Sequence, residues 1–109
     1  MENAEYEVEL YELDNIPGVL LGRIVIDSKA RMVGIVRNIR ITIPTFKVEL
    51  VIKGIDVEIP VDVQNIDAVG NVVRLKVPME SIDTVEIEDI IKLQKELNEE
   101  IKDRTIRFK

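Results

Sequence analysis

The side chains of this sequence that could do chemistry are hydroxyls and carboxylates. Ser28 and Ser81 carry hydroxyls, but the chain has no histidine and no cysteine to supply a general base or a thiolate. Asp56 and Glu58 lie two residues apart and would share one face of a strand. The same spacing recurs in Glu5, Glu7 and Glu9. Turns, caps and solvated strands explain all of these residues, so the sequence predicts no enzyme, no metal site and no cofactor.

Length and composition indicate one small domain with an aliphatic core. The chain has 109 residues, of which 46% are hydrophobic and only 4% aromatic. Ile and Val dominate, and these β-branched residues favour strands. The N-terminus has no basic or apolar leader, and no apolar run approaches the ~18 residues of a membrane span. We therefore expect a cytoplasmic protein without membrane insertion, and its abundant Ile, Glu, Lys and Arg resemble the composition of thermophile proteins.

Period-two alternation predicts a run of short strands broken by turn residues. The predicted strands cover residues 5–13, 20–27, 32–43, 46–52, 55–59 and 70–77. Residues 61–66 predict a short helical turn or an irregular loop. In the fourth strand the even positions, Phe46 to Ile52, should face the core. Val73, Leu75 and Val77 should do the same in the last strand.

The tail changes to a helical period. A helix is predicted from residue 83 to about 103, with Asp83 as its cap and Glu86 three residues on. Its apolar stripe is Ile87, Ile90, Ile91, Leu97 and Ile101. This stripe can pack on its own sheet or on another subunit. We divide the chain into a β-barrel at 1–79, which includes the N-terminal strand, and a helix with tail at 80–109.

Four segments carry a resemblance to a known family. They are LGRIVIDS at 21–28, VGIVRNI at 33–39, IPVDV at 59–63 and VGNVVRL at 69–75. This pattern resembles the PRC-barrel family, named for the cytoplasmic domain of the photosynthetic reaction centre H subunit. The resemblance implies an all-β fold, a small PRC-type β-barrel of about six strands, here with an added C-terminal α-helix.

Individual positions within the resemblance have structural explanations. Gly22 and Gly34 fall inside predicted strands, where glycine usually marks a bulge or a close backbone approach. Two positions depart from the family pattern. Ala30 stands where a glycine usually completes the first turn, and Asn38 stands where many members have Asp.

The resemblance implies a protein-interaction role. Stand-alone small members are common in archaea, and some look like accessory factors of a tubulin-based division machinery. We therefore expect an adaptor that binds other proteins and forms a homodimer or a higher homo-oligomer. Strand parity turns Val25, Val36, Val51 and Val72 outward. With the helix residues Ile90, Leu97 and Ile101, these valines are the predicted partner or self-association surface.

Uneven charge supplies an alternative function. The net charge is −6, yet residues 15–53 carry seven bases against two acids, whereas residues 1–14 carry six acids and no base. The bacterial ribosome maturation factor also ends in a PRC barrel, so a role in RNA or ribosome maturation is the alternative. Its predicted contacts would be Arg23, Arg31, Arg37, Arg40 and Lys47. Overall acidity and few aromatic residues make nucleic acid the less favoured partner.

Overall fold

The structure is a computed structural model that describes residues 6–10, 20–44 and 46–107. Within these ranges the chain forms seven strands, a short 3-10 turn and one α-helix. In chain order they are β1 (Tyr6–Leu10), β2 (Ile24–Ile26), β3 (Met32–Ile43), β4 (Lys47–Gly54), β5 (Val57–Asp62), the 3-10 turn (Val63–Asn65), β6 (Ile66–Val69), β7 (Val72–Leu75) and α1 (Ile87–Arg107). The fold is thus mostly β-sheet with an added C-terminal helix, as the sequence predicts.

The predicted elements are present, but most of their boundaries differ from the prediction by one to four residues. β3 has the predicted bounds, and the 3-10 turn lies inside the segment predicted to be helical or irregular. β6 falls where no strand was predicted. α1 begins at Ile87 rather than at 83, because the N–H of Glu86 donates to the Asp89 carboxylate at 2.9 Å, the return bond of a capping box. Residues 5 and 11–13 of the first predicted strand lie outside the described residues.

The strands form one open mixed sheet, so the prediction of a closed barrel is wrong. The order is β5-β4-β3-β2-β7-β6, and β1 pairs with β3 beside β2. Only β2 and β7 are parallel; the other pairs are antiparallel. In the described residues no backbone ladder joins the two ends of this order, β5 and β6. Pro60 lies in β5, and proline within a sheet is typical of an edge strand.

The open sheet is nevertheless strongly curled around one core. Buried residues from β2, β3, β4, β5 and β7 meet in a single apolar cluster. Ile66 of β6 packs against the same cluster. Because the strands at both ends of the order, β5 and β6, reach this cluster, the sheet must bend round it. Its buried members are Val25, Val33, Val36, Leu50, Ile52, Val61, Val73 and Leu75. We call the face that carries them the inner face.

α1 covers the opposite, outer face. Ile35 of β3 is fully buried there beneath Ile90, Leu93 and Leu97 of the helix. Val85, just before the helix, completes this second cluster, and its N–H donates to the Met32 carbonyl at 3.0 Å. The central strands are therefore buried on both faces.

Two irregularities in β3 change which side chains face inward. The pairing with β2 shifts register between Val25 and Ile26, and the pairing with β4 shifts between Val36 and Asn38. A bulge of this kind places consecutive residues on one face and bends the strand. Gly34 allows the close approach, since a Cβ there would lie 2.3 Å from the Lys53 carbonyl oxygen. The expected role of this glycine is confirmed.

The β2–β3 turn uses a left-handed residue without glycine. Ala30 has φ +63°, and its N–H donates to the Asp27 carbonyl at 2.9 Å. A side chain in this conformation costs about 1–2 kcal/mol. The turn thus keeps the shape that glycine usually supports, although alanine stands in its place.

Candidate interaction surfaces

The described residues contain no cluster of metal-ligating side chains. Ser28 and Ser81 both lie in turns. The backbone N–H of Ser28 donates to the Val77 carbonyl at 3.1 Å. Within residues 6–10, 20–44 and 46–107, no group of three acidic side chains could hold a metal ion. In the same ranges, no helix is long and apolar enough to cross a membrane.

The predicted surface valines are mostly buried, which corrects the parity argument. Val36 belongs to the inner core, because the two irregularities of β3 lie on either side of it and reset the alternation there. Val25 of β2, which pairs with Gly34, belongs to the same core. Val51 pairs with Asn38 and lies on the outer face as predicted, but it is fully buried there. Val72 alone of the four is exposed, at 36%. These valines do not form an exposed patch.

The predicted helix residues pack on the protein's own sheet. Ile90 and Leu97 are buried against Ile35, and Ile101 is half-buried beside them. They are therefore unavailable to another subunit while α1 is docked. The apolar stripe also differs from the predicted one, because Leu93 is buried whereas Ile87 and Ile91 are exposed.

The bases proposed for RNA contact are engaged with acceptors of the protein itself. Arg31 pairs with Asp27 at 2.6 Å, Arg40 with Glu7 at 3.8 Å and Lys47 with Glu49 at 3.5 Å. Arg23 donates to the Gly70 carbonyl, and Arg37 pairs with three acids. The uneven charge of the sequence is thus largely balanced in space. No strip of free cations results among these five residues, which weakens the case for phosphate binding.

Arg37 is the centre of the largest ion-pair cluster. Its side chain is 11% exposed and lies within 3.0 Å of Glu9 from β1 and 3.0 Å of Glu58 from β5. Glu100 of α1 is the third partner, and Asn38 donates to Glu9. Since arginine presents several donors in a fixed plane, it can hold carboxylates from several directions. The cluster joins β1, β5 and the helix to the middle of β3.

Asp27 forms a second polar centre, fully buried at the β2–β3 turn. Its carboxylate accepts from the backbone N–H groups of Lys29, Arg31 and Met79 at 2.9–3.0 Å. The Arg31 guanidinium donates to it twice, at 2.9 and 2.6 Å. Burial raises the pKa of Asp27, but the hydrogen bonds from Met79, Arg31 and Lys29 outweigh it and hold the pKa well below its ordinary value.

Exposed apolar residues gather where β1, the end of β3 and the start of β4 form a three-stranded extension. Register places Val8 opposite Ile41, and Ile41 opposite Val48. The next row pairs Tyr6 with Ile43. Phe46 and Val48 line one groove. We call these six residues the distal face; Tyr6 is 66% exposed and Phe46 is 71% exposed.

The distal face continues the inner face beyond the core. Ile39 opposite Leu50 is the last row packed on the inner cluster, and the Ile41–Val48 row follows it two residues on. The other side of the same three strands carries Glu7, Glu9 and Arg40, which form ion pairs there. The extension is therefore sharply two-sided, with charges on one face and uncharged, apolar side chains on the other.

The alternating apolar residues of this surface are visible in the sequence, but the pattern predicts that they face the core. Alternation predicted that Val48 and the other even positions of β4 would be core residues, and Leu50 and Ile52 are indeed buried. Alternation cannot show where along a strand the core ends. Only the register of β1 on β3 shows that the last rows extend past it.

A groove of about 340 Å³ separates the β4–β5 turn from α1. Its walls mix bases and acids, and Lys53 lies 3.6 Å from Glu96 across it. Opposite charges that already pair leave little potential to recognise a charged ligand.

No family model, curated protein or solved structure matches the chain.

Proposed function

We propose that this chain is a non-enzymatic protein-interaction module of the PRC-barrel type, which self-associates and docks other proteins in the cytoplasm. The observation that carries the proposal is the distal face, where Tyr6, Val8 and Ile43 are exposed on neighbouring strands and Phe46 is exposed in the turn before β4. Scattered exposed apolar residues are ordinary, but a contiguous apolar patch on a small domain is typical of a partner surface.

The family assignment within this proposal depends on the sequence resemblance. Three features support it: the buried Asp27 at the first turn, the left-handed residue that follows it, and the close approach at Gly34. The narrower role as an accessory of an archaeal division machinery depends on the resemblance alone. Division proteins are therefore the first to look for among the captured partners.

The test is an affinity capture from the source cells with the full chain as bait. Tyr6→Asp/Phe46→Asn is the variant bait and Val69→Asp is the control, because Val69 is exposed on β6 and lies outside the distal face. We expect proteins that the wild type and the control retain but the variant loses, with or without nuclease. Ribosomal components that disappear on nuclease treatment would instead support the RNA alternative. A set of captured proteins that is identical for all three baits would contradict the proposed surface.

A further inference from the structure

We infer that the distal face is a homodimer interface on which two copies of this chain pack face to face, with β1 of one copy over β4 of the other. This inference rests on the proposed function and names the surface that self-association would use. Exposed area, the distribution of charge, and the arrangement of the two aromatic residues support it.

The exposed area suits a dimer interface. A fully exposed aromatic side chain offers about 200 Å², so Tyr6 and Phe46 at 66% and 71% exposure contribute roughly 270 Å² together. Val8 and Ile43, both more than 40% exposed, extend the patch. A standard interface buries about 800 Å² on each partner, a little over half of it apolar. The distal face supplies most of that apolar share.

The charges near the distal face favour a second copy over a nucleic acid or a lipid surface. The six residues of the face carry no charge, and the chain has a net charge of −6. A phosphate backbone or an anionic bilayer attracts basic surfaces, which this face does not offer. Glu7 and Glu9 of β1 are paired with Arg40 and Arg37 on the opposite side of the sheet. These acids therefore point away from a copy that packs on the distal face.

The strand arrangement makes the face self-complementary. β3 lies between β1 and β4, so Tyr6 and Val8 are on one side of it and Val48 is on the other. Phe46, in the turn before β4, lines a groove with Val48 on that second side. A two-fold axis along β3 would place β1 of one copy over β4 of its partner. Tyr6 would then meet Phe46, and Val8 would meet Val48, across two sheets spaced about 10 Å apart.

The experiment measures the mass of the full chain by sedimentation equilibrium across the micromolar range. One chain has a mass of 12.5 kDa, and we expect the wild type to approach twice that value. Phe46 has φ +43°, a conformation that asparagine tolerates, so Phe46→Asn removes the aromatic ring without straining the turn. We expect this variant to weaken dimerisation at least tenfold, and Tyr6→Asp to do the same.

Val69→Asp is the matched control, because it adds a charge at an exposed valine of β6. The control should dimerise like the wild type, and circular dichroism should show all variants folded. A monomeric wild type would overturn the inference and would leave another protein as the occupant of the face. A dimer that tolerates both distal-face variants would overturn it as well. A monomeric wild type would also remove self-association from the proposed function. The capture experiment reads the docking of other proteins separately, since a monomer can still lose partners when the distal face changes.

Discussion

At the scale of single residues, Asp27 shows how one buried carboxylate can fix a turn and a distant segment together. Its five hydrogen bonds come from Lys29, Arg31 and Met79, so the β2–β3 turn is tied to the chain that follows β7. A buried charge is tolerated only when donors replace its water. Here two backbone amides of the turn, the Met79 amide and one guanidinium do so.

We expect Asp27→Asn to destabilise the fold by about 2–4 kcal/mol at pH 7, because the amide cannot accept from all these donors and leaves Arg31 without its counter-charge. The folded-state pKa of Asp27 lies below its ordinary value of 3.8. The stabilisation from this carboxylate is therefore complete above the ordinary value and is lost as the pH falls towards the folded-state pKa. Urea unfolding of the wild type between pH 7 and pH 2 measures this loss, which the variant should lack.

Asp62→Asn is the control for this experiment. The Asp62 carboxylate caps the 3-10 turn by accepting from the Gln64 N–H at 2.8 Å. Its replacement should cost at most about 1 kcal/mol. The control should keep the acid-dependent loss, because Asp27 is intact. An Asp27→Asn protein as stable as the wild type at pH 7 would show that the buried hydrogen bonds contribute nothing net.

The sequence could predict the position of Asp27 but not its full role. A turn after residue 27 is visible in the local sequence, but the left-handed residue at 30 is not, because alanine stands where glycine would indicate it. Met79, which also donates to Asp27, lies 52 residues further along the chain, and nothing in the sequence pattern connects the two positions. Long-range polar pairing is set by the tertiary path of the chain, which local preferences do not encode.

At the scale of elements, irregular pairing limited what strand alternation could predict. Parity holds along an uninterrupted strand, as the buried Val73 and Leu75 of β7 show. β3 contains two register shifts, and each one moves the following residues to the other face. Val36 is therefore in the inner core although parity predicted it outside. Gly34 marked the first irregularity in the sequence, but no comparable residue marked the second.

Helix α1 should contribute substantially to stability because it seals the outer face. Leu97 is 2% exposed and packs with Leu93 over Ile35, so Leu97→Ala removes buried methyl groups and leaves a cavity. We expect a loss of about 2–4 kcal/mol in the free energy of unfolding. Chemical denaturation followed by circular dichroism measures it.

Ile91→Ala is the matched control on the same helix, since Ile91 is 53% exposed. It should change stability by less than about 0.5 kcal/mol. Equal losses for the two variants would contradict the observed orientation of the helix. A negligible loss of stability for Leu97→Ala would mean that the helix contributes little to the fold. Residues 80–109 would then be a separate appendage, as the predicted division of the chain after residue 79 implies.

At the scale of the whole molecule, the closure of the sheet and the pairing of charges depend on segments that are far apart in the sequence. The strand pattern is compatible with either a barrel or a curled open sheet. The difference lies in whether β5 and β6 pair, which involves residues on both sides of the 3-10 turn. The pairing of opposite charges also depends on distant segments. The acids of β1 and the bases of β3 are separate blocks in the sequence, and they meet only because β1 pairs with β3.

This arrangement predicts that the protein melts above the range of about 45–65 °C that is usual for mesophilic domains. Ion pairs that join elements gain importance with temperature, because the cost of removing water from charges falls. Arg37 joins β3 to Glu9, Glu58 and Glu100, so Arg37→Gln should leave three carboxylates close together. We expect a loss of about 2 kcal/mol and a midpoint lower by about 5–10 °C in scanning calorimetry.

Lys29→Gln is the control for the calorimetry, because the pair of Lys29 with Glu80 is 58% and 62% exposed and joins no buried group. Such surface pairs contribute between about 0 and 1 kcal/mol, so the midpoint should move little. A melting midpoint of the wild type in the mesophilic range would contradict the interpretation that the composition is that of a thermophile protein. Equal shifts of the midpoint for the two variants would show that the Arg37 cluster is no stronger than an ordinary surface pair. In that case the packing of α1 and β1, rather than their charges, would hold them to β3.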